Sequence, residues 1–275
     1  MIDATSANRA LWDEWADLHI ASAFYDLESF KRGGIRLRAF EVHEVGPVSG
    51  RSLLHLQCHF GIDTLSWARL GARVTGVDFS PRAVALAQSL AAELRLPARF
   101  ICADVLELPA ILDERFAIVY TSRGILSWLP DLSRWAQVVA RSLQPGGVFY
   151  ITEAHPIIQV WDDDEGIAGL RFRYPYFASS NPVVVPTHGS YADRDAHVVQ
   201  PVSYQWAHDL GEIVTALTSS GLRIEFLHEF PFIFYQALPF LEQHEDRTWW
   251  LPSGWRGELP LSFSLRATKP GEAGN

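Results

Sequence analysis

The 275-residue sequence holds only two cysteines, Cys58 and Cys102, and one methionine. Two thiols do not make a disulfide framework, so stability must come from a buried core. No block of lysines or arginines occurs, and 23 basic residues against 32 acidic ones leave a formal net charge of −9. That balance argues against duplex nucleic acid and against an anionic membrane surface as partners. Long hydrophobic runs are also missing. No stretch is apolar for long enough to span a bilayer, and the start, MIDATSANRALWDEWADLHI, lacks the basic end and apolar centre of a signal peptide. The expectation is a soluble, cytoplasmic protein with reduced thiols. What is present fits a globular chain: apolar residues make up 48%, enough for a sizeable core, and charged residues 20%.

From Arg51 to Pro156, short β-rich runs alternate with helical stretches. RSLLHL, RVTGVDF, ARFICAD, RFAIVYTS and VFYITEAH read as five strands, nearly continuous in apolar residues as in a sheet covered on both faces. Between them lie TLSWARLGA, closed by Gly71, then SPRAVALAQSLAAELRL with Ser80 as N-cap and Pro81 at its first position, and DLSRWAQVVARSLQPGG. Such alternation requires crossover connections, hence a doubly wound α/β fold with a mainly parallel sheet. Residues 46–156 form this core. Residues 1–45 read as a helical cap carrying Trp12, Trp15, Phe24 and Tyr25, and residues 157–204 as a lid insertion rich in Gly, Pro and aromatics. Residues 205–275 return to a helix and two strands, LRIEFLHEF and PLSFSLRATK, separated by a Pro- and Trp-rich loop. The whole is one domain.

Ligands of open parallel sheets sit beyond the carboxyl ends of the strands, so the loop after the first strand, LQCHFG, is the default site. It holds one glycine, Gly61, where dinucleotide loops hold two or three; Gln57, Cys58 and His59 fill the other places. Asp78 ends the second strand, 21 residues after Gln57, at the usual spacing for a carboxylate that holds ribose hydroxyls, and Asp104 ends the third. Side chains at 57 and 59 would crowd a pyrophosphate, which argues against a nicotinamide cofactor. A phosphate-free adenosine ligand with an amino-acid tail, S-adenosylmethionine, tolerates them. Gln57 and His59 could hydrogen-bond the tail carboxylate, backbone near Gly61 would approach closely, and the helix start at Asp63 and Thr64 adds amide donors.

Leu53 to His155 resembles the class I S-adenosylmethionine-dependent methyltransferases. The family's acidic-x-G-x-G-x-G motif stands as His55-Leu56-Gln57-Cys58-His59-Phe60-Gly61, keeping only the last glycine. VTGVDFSPRAVALAQ is similar to the second motif, FICADVLELP to the third, and LQPGGVFYITE to the segment after the fourth helix. The subgroup resembled is one of bacterial small-molecule enzymes. The resemblance implies a seven-stranded Rossmann-like sheet whose last strand, PLSFSLRATK, is antiparallel. It implies S-adenosylmethionine as cofactor and S-adenosylhomocysteine as product. It implies Asp78 as the ribose ligand, and position and resemblance together give the expected cofactor set as Tyr25, Gln57, Cys58, His59, Gly61, Thr64, Asp78, Phe79, Asp104, Val105 and Thr121, with Gln57 and His59 resting on position rather than on the family motif.

Methyl transfer from a sulfonium is an in-line displacement, and a protonated acceptor must also lose a proton. Glu153 and His155, past the fifth strand, are the candidate bases. Ser122, Arg123, Trp161, Tyr174, Tyr176, Trp249 and Trp250 could line an aromatic or apolar acceptor pocket. No metal is expected. His55, Cys58, His59 and Cys102 lack the paired spacing of a zinc site, and the acidic run WDDDEG reads as a solvated turn rather than a cation loop. The competing reading is a non-catalytic ligand-binding or interaction protein on the same fold.

Overall fold

The computed structural model describes residues 4–271. In chain order its elements are α1 (Ala4–Ala21), α2 (Leu27–Lys31), α3 (Ala39–Val45), β1 (Ser52–Leu56), α4 (Ile62–Arg69), β2 (Arg73–Asp78), α5 (Pro81–Leu94), β3 (Ala98–Cys102), β4 (Phe116–Ser122), α6 (Leu132–Ser142) and β5 (Leu143–Ala154). Then follow β6 (Val183–Pro186), β7 (Val202–Gln205), α7 (Leu210–Ser219), β8 (Arg223–Phe230), β9 (Phe232–Ile233), β10 (Glu242–Gln243), β11 (Trp249–Trp250) and β12 (Ser262–Thr268).

One seven-stranded sheet in the order β3-β2-β1-β4-β5-β12-β8 organises the molecule. Strands β1 to β5 are mutually parallel, while β12 runs antiparallel to both β5 and β8, with Leu265 opposite Ile151 on one side and Leu227 on the other. Strand order reverses between β1 and β4, which opens a crevice beyond their carboxyl ends.

Local chemistry places the helices. The Ser80 hydroxyl accepts the Ala83 N–H at 3.0 Å, and Pro81 supplies a preset φ where no donor is needed. Asp131 caps α6 and Asp209 caps α7 in the same manner. Apolar residues of α6 and α7 bury against one face of the sheet around Trp135 and Phe149. The other face packs in two clusters, one around Phe60, Leu65 and Phe100, the other around Trp67 and Tyr120.

Three features depart from the sequence expectation. Helix α4 starts at Ile62 rather than Thr64. Strand β5 starts at Leu143, because the Pro-Gly-Gly turn is accommodated as a register shift against β4. The Trp-rich loop contains a small antiparallel sheet, β10-β11-β9, over a cluster formed by Trp161, Ile233, Leu238 and Leu251.

The lid is held by α1. Asn8 and Tyr204 exchange two hydrogen bonds, Asn8 Nδ2 donating to the Tyr204 carbonyl at 2.7 Å and the Tyr204 N–H to Asn8 Oδ1 at 2.9 Å. Trp15 Nε1 donates to the Gly189 carbonyl at 3.0 Å, and Glu14 accepts the Val199 and Gln200 N–H groups. On its other side α1 seats on α5, where Asp13 accepts the Ser80 hydroxyl and the Arg82 N–H. No helix among the described residues is long and apolar enough to cross a membrane.

Candidate active site

A cavity of about 1390 Å³ opens at the reversal point, walled by the β1 loop, the ends of β2, β3 and β4, the cap and the lid. Ligand pockets commonly span ~300–1,000 Å³. The space here exceeds that range.

The β1 loop carries the most informative geometry. Gln57, His59 and Gly61 have φ of 56°, 51° and 78°, so every second residue is left-handed although two of the three are not glycine. The backbone path of a glycine loop is therefore kept. Two anchors hold it: the His59 N–H donates to Asp78 Oδ2 at 2.7 Å, and the Cys58 N–H to the Val77 carbonyl at 2.9 Å. Gly61 is needed for packing. A Cβ there would lie 2.7 Å from the Phe100 ring and 2.9 Å from the Ala87 methyl, behind the loop. Gly61 also lines the cavity, so this packing requirement stands beside the expected close approach of a ligand.

The side chains at 57 and 59 have defined partners. Gln57 Nε2 donates to the Ile125 carbonyl at 3.3 Å, which leaves Oε1 buried without a partner. His59 Nε2 lies 2.8 Å from His19 Nδ1, and His59 Nδ1 is also buried without a partner. His19 Nε2 meets the Ser190 hydroxyl at 3.1 Å, while Tyr191 bridges His19 and Tyr25, its hydroxyl 2.5 Å from that of Tyr25. Cap, cofactor loop and lid thus share one hydrogen-bonded network, with Trp12, Trp15 and Trp128 edge-on around it. Burial holds both imidazoles neutral: the His19 pKa is lowered to about 3, and that of His59 falls well below its ordinary value.

Asp78 ends β2 with 7% exposure, accepting the Ser80 N–H at 2.9 Å on Oδ1 and the His59 N–H on Oδ2. Burial raises its pKa to about 6, against the opposing pull of those hydrogen bonds. Asp104 Oδ1 accepts the Leu106 N–H at 2.8 Å and faces the cavity beside Val105. Cys58, Phe79, Ser122, Arg123, Trp161, Tyr174, Trp249 and Tyr25 also line the cavity.

Six expected residues stand elsewhere. Thr64 lies beneath the loop, its hydroxyl 2.7 Å from His55 Nδ1, so His55 orders the first turn of α4. Thr121 ties β4 to the Leu56 carbonyl. Tyr176 packs edge-on to Phe177, and Trp250 stacks on His244; neither lines the cavity. Glu153 and His155, the expected bases, are also absent from its wall. The Glu153 carboxylate accepts the N–H groups of Gly124, Ile125, Leu126 and Ala154, so its lone pairs are engaged in shaping the loop after β4. His155 Nδ1 accepts the Ile157 N–H, and Nε2 lies 3.0 Å from Glu229.

Arg123 follows β4 and forms ion pairs with Glu41 and, at 3.3 Å, with Asp63; both carboxylates and the half-buried guanidinium face one another beside the cavity. In the acidic turn Arg173 Nη1 reaches Asp162 at 2.9 Å and Asp164 at 2.6 Å, and carboxylate oxygens of Asp162, Asp163 and Asp164 lie within 4.8 Å of one another. His19, Trp128, Tyr191, Tyr235 and Arg36 line or brace the cavity without having been singled out from sequence. One signal was available: Asn8, Trp12, Trp15 and His19 recur at helical spacing, which puts all four on one face of α1.

Residues 53–147 match the family model described as "Methyltransferase domain". A ubiquinone biosynthesis O-methyltransferase of Albidiferax ferrireducens is 32% identical over 157 residues, covering 55% of this chain and 61% of that protein. The chain thus spans about three fifths of that curated relative. An S-adenosylmethionine-dependent methyltransferase from Mesorhizobium loti superimposes with a TM-score of 0.56 at 21% identity, covering 86% of this chain and 99% of that one. One from Methanosarcina mazei gives the same TM-score and coverages at 17% identity. These two likenesses are of fold.

Proposed function

We propose that the chain is a class I S-adenosylmethionine-dependent methyltransferase that transfers the methyl group of that cofactor to a small aromatic or apolar acceptor, at N, O or C. The observation that carries the reading is the union of Asp78 with a loop left-handed at three alternate positions. Asp78 presents a carboxylate to two ribose hydroxyls, and Asp104 accepts from the adenine amine. The orphaned buried atoms Gln57 Oε1, an acceptor, and His59 Nδ1 support a polar ligand that hydrogen-bonds both. Gln57 spends one amide N–H on Ile125 and leaves the buried Oε1 open as an acceptor, which suits the ammonium of an amino-acid tail.

Bound there, the cofactor supplies an activated methyl on sulfur. The chain's task is to align the acceptor, exclude water and hold the loops. The α1–lid contacts close the site from above. Glu153 positions residues 124–126, which border the acceptor side. Tyr25, Tyr191, Tyr235, Phe234 and Trp128 give that side an aromatic lining.

Methyl incorporation from labelled cofactor into a panel of phenols, indoles and aromatic amines tests the reading. Turnover of any member supports it. Tight cofactor binding with no turnover across the panel favours the alternative, a non-catalytic ligand-binding protein on this fold, to which the side chains replacing glycine at 57 and 59 lend weight.

A further inference from the structure

Two guanidinium groups in the cavity wall make no close ion pair. Arg36 and Arg38, just ahead of α3, both line the cavity. Arg123 nearby is matched by Glu41 and Asp63, yet among the described residues no carboxylate lies within ion-pair distance of Arg36 or Arg38. Arg36 Nη2 donates to the Phe24 carbonyl at 3.0 Å. Arg38 Nη1 donates to the Asp246 carbonyl at 2.6 Å and Nη2 to that of Arg247 at 3.4 Å. A guanidinium has five N–H donors, so both keep donors in reserve.

Desolvating a cation without a paired anion is costly, and the cost is recovered when a ligand brings the charge. Burial lowers the pKa of both groups and the Arg123 charge adds to that pressure, while Asp63 and Asp26 oppose it at Arg36, and Glu41 and Asp246 at Arg38. The Arg38 and Arg123 guanidiniums lie 5.7 and 5.2 Å from the centre of the Phe234 ring, and Tyr235 beside it stands 5.8 Å from Tyr191. An aromatic wall therefore adjoins two guanidinium groups that keep donors in reserve.

We propose that Arg36 and Arg38 dock an anionic group, most simply a carboxylate, on the acceptor, whose ring lies against Phe234 and Tyr235. This rests on the methyltransferase reading and narrows it to acidic aromatic acceptors. A planar carboxylate matches the guanidinium fork in a way that a neutral amide of equal size does not.

The test uses protein saturated with S-adenosylhomocysteine and titrated with benzoate or benzamide in a calorimeter. The wild type should bind benzoate at least about tenfold more tightly, and the Arg36→Gln/Arg38→Gln double variant should bring the two within about twofold. S-adenosylhomocysteine affinity should change less than about twofold between the two proteins, which also reports that the variant is folded. A wild type that does not discriminate, or a preference that survives in the variant, overturns the proposal. So does a variant that loses S-adenosylhomocysteine affinity while keeping that for 5′-methylthioadenosine, which lacks the amino-acid tail; the guanidiniums would then serve the cofactor's own carboxylate. Failure of the wild type to bind S-adenosylhomocysteine at the outset would instead remove the methyltransferase reading beneath it.

Discussion

Asp78 Oδ2 accepts the backbone N–H of His59 at 2.7 Å, so the carboxylate that faces the cavity also fixes the loop beside it. The left-handed residues Gln57 and His59 carry strain that glycine would not. Outside glycine this conformation costs ~1–2 kcal/mol. Gln57→Gly should therefore hold or raise the urea midpoint. It should also weaken S-adenosylhomocysteine binding by about 1 kcal/mol, the worth of one neutral hydrogen bond. Tighter binding by the Gln57→Gly variant would mean that the glutamine side chain only obstructs the site.

Glu153 and His155 should separate cleanly. Glu153→Gln turns an amide N–H₂ toward backbone donors that now meet a carboxylate, and should cost ~2–4 kcal/mol of stability in chemical denaturation. His155→Ala should leave kcat within about threefold and the pH–rate profile unshifted, because the imidazole lies outside the cavity wall. Loss of one limb of that profile in the His155 variant would restore it as a base.

Acid should unfold this protein early. The pKa values of His19 and His55 are both lowered to about 3 in the fold, mainly by burial and for His55 also by the Arg123 charge. The unfolded chain, at about 6.5, takes up those protons first. Their stabilisation is complete above that value and is lost as pH falls toward 3, about 2 kcal/mol for each imidazole by pH 5. Asp78 works in the opposite direction, since its folded pKa of about 6 lies above the unfolded one, and returns on the order of 1 kcal/mol over the same fall. Urea midpoints should thus drop from pH 7 to pH 5, and more steeply in Asp78→Asn. A flat profile would contradict the burial assigned to the imidazoles.

The lid should loosen when its tie to α1 is cut. Asn8 is 2% exposed and makes both hydrogen bonds to Tyr204. Asn8→Ala leaves two backbone groups unpaired and should cost ~1–3 kcal/mol. Limited proteolysis within residues 183–205 should quicken before the core is cut. Cleavage at unchanged rate would show that the other α1 contacts suffice.

Where a signal is local, sequence and structure agree. Ser80 and Pro81 start α5, and Asp78 closes β2, because caps and strand ends depend on adjacent residues. The sites hidden in the sequence are those set by distant partners. His19 meets Ser190 across 171 positions, and no periodicity announces that pairing. The left-handed backbone at Gln57 and His59 is imposed by Asp78 and Val77 against residue preference, so the missing glycines misstate the loop's shape. Strands β9, β10 and β11 are two residues each, too short for alternation to register. Glu153 sits where a base was expected, but its burial among backbone donors depends on a loop folded from β4.

Calorimetric titration of S-adenosylhomocysteine into wild type and Asp78→Ala tests the central claim most directly. Micromolar binding to the wild type and a loss of about 3 kcal/mol or more in the variant, the worth of two charge-assisted hydrogen bonds, are the predicted results. Equal affinity in the two proteins, or none in a folded wild type at millimolar ligand, would contradict the account.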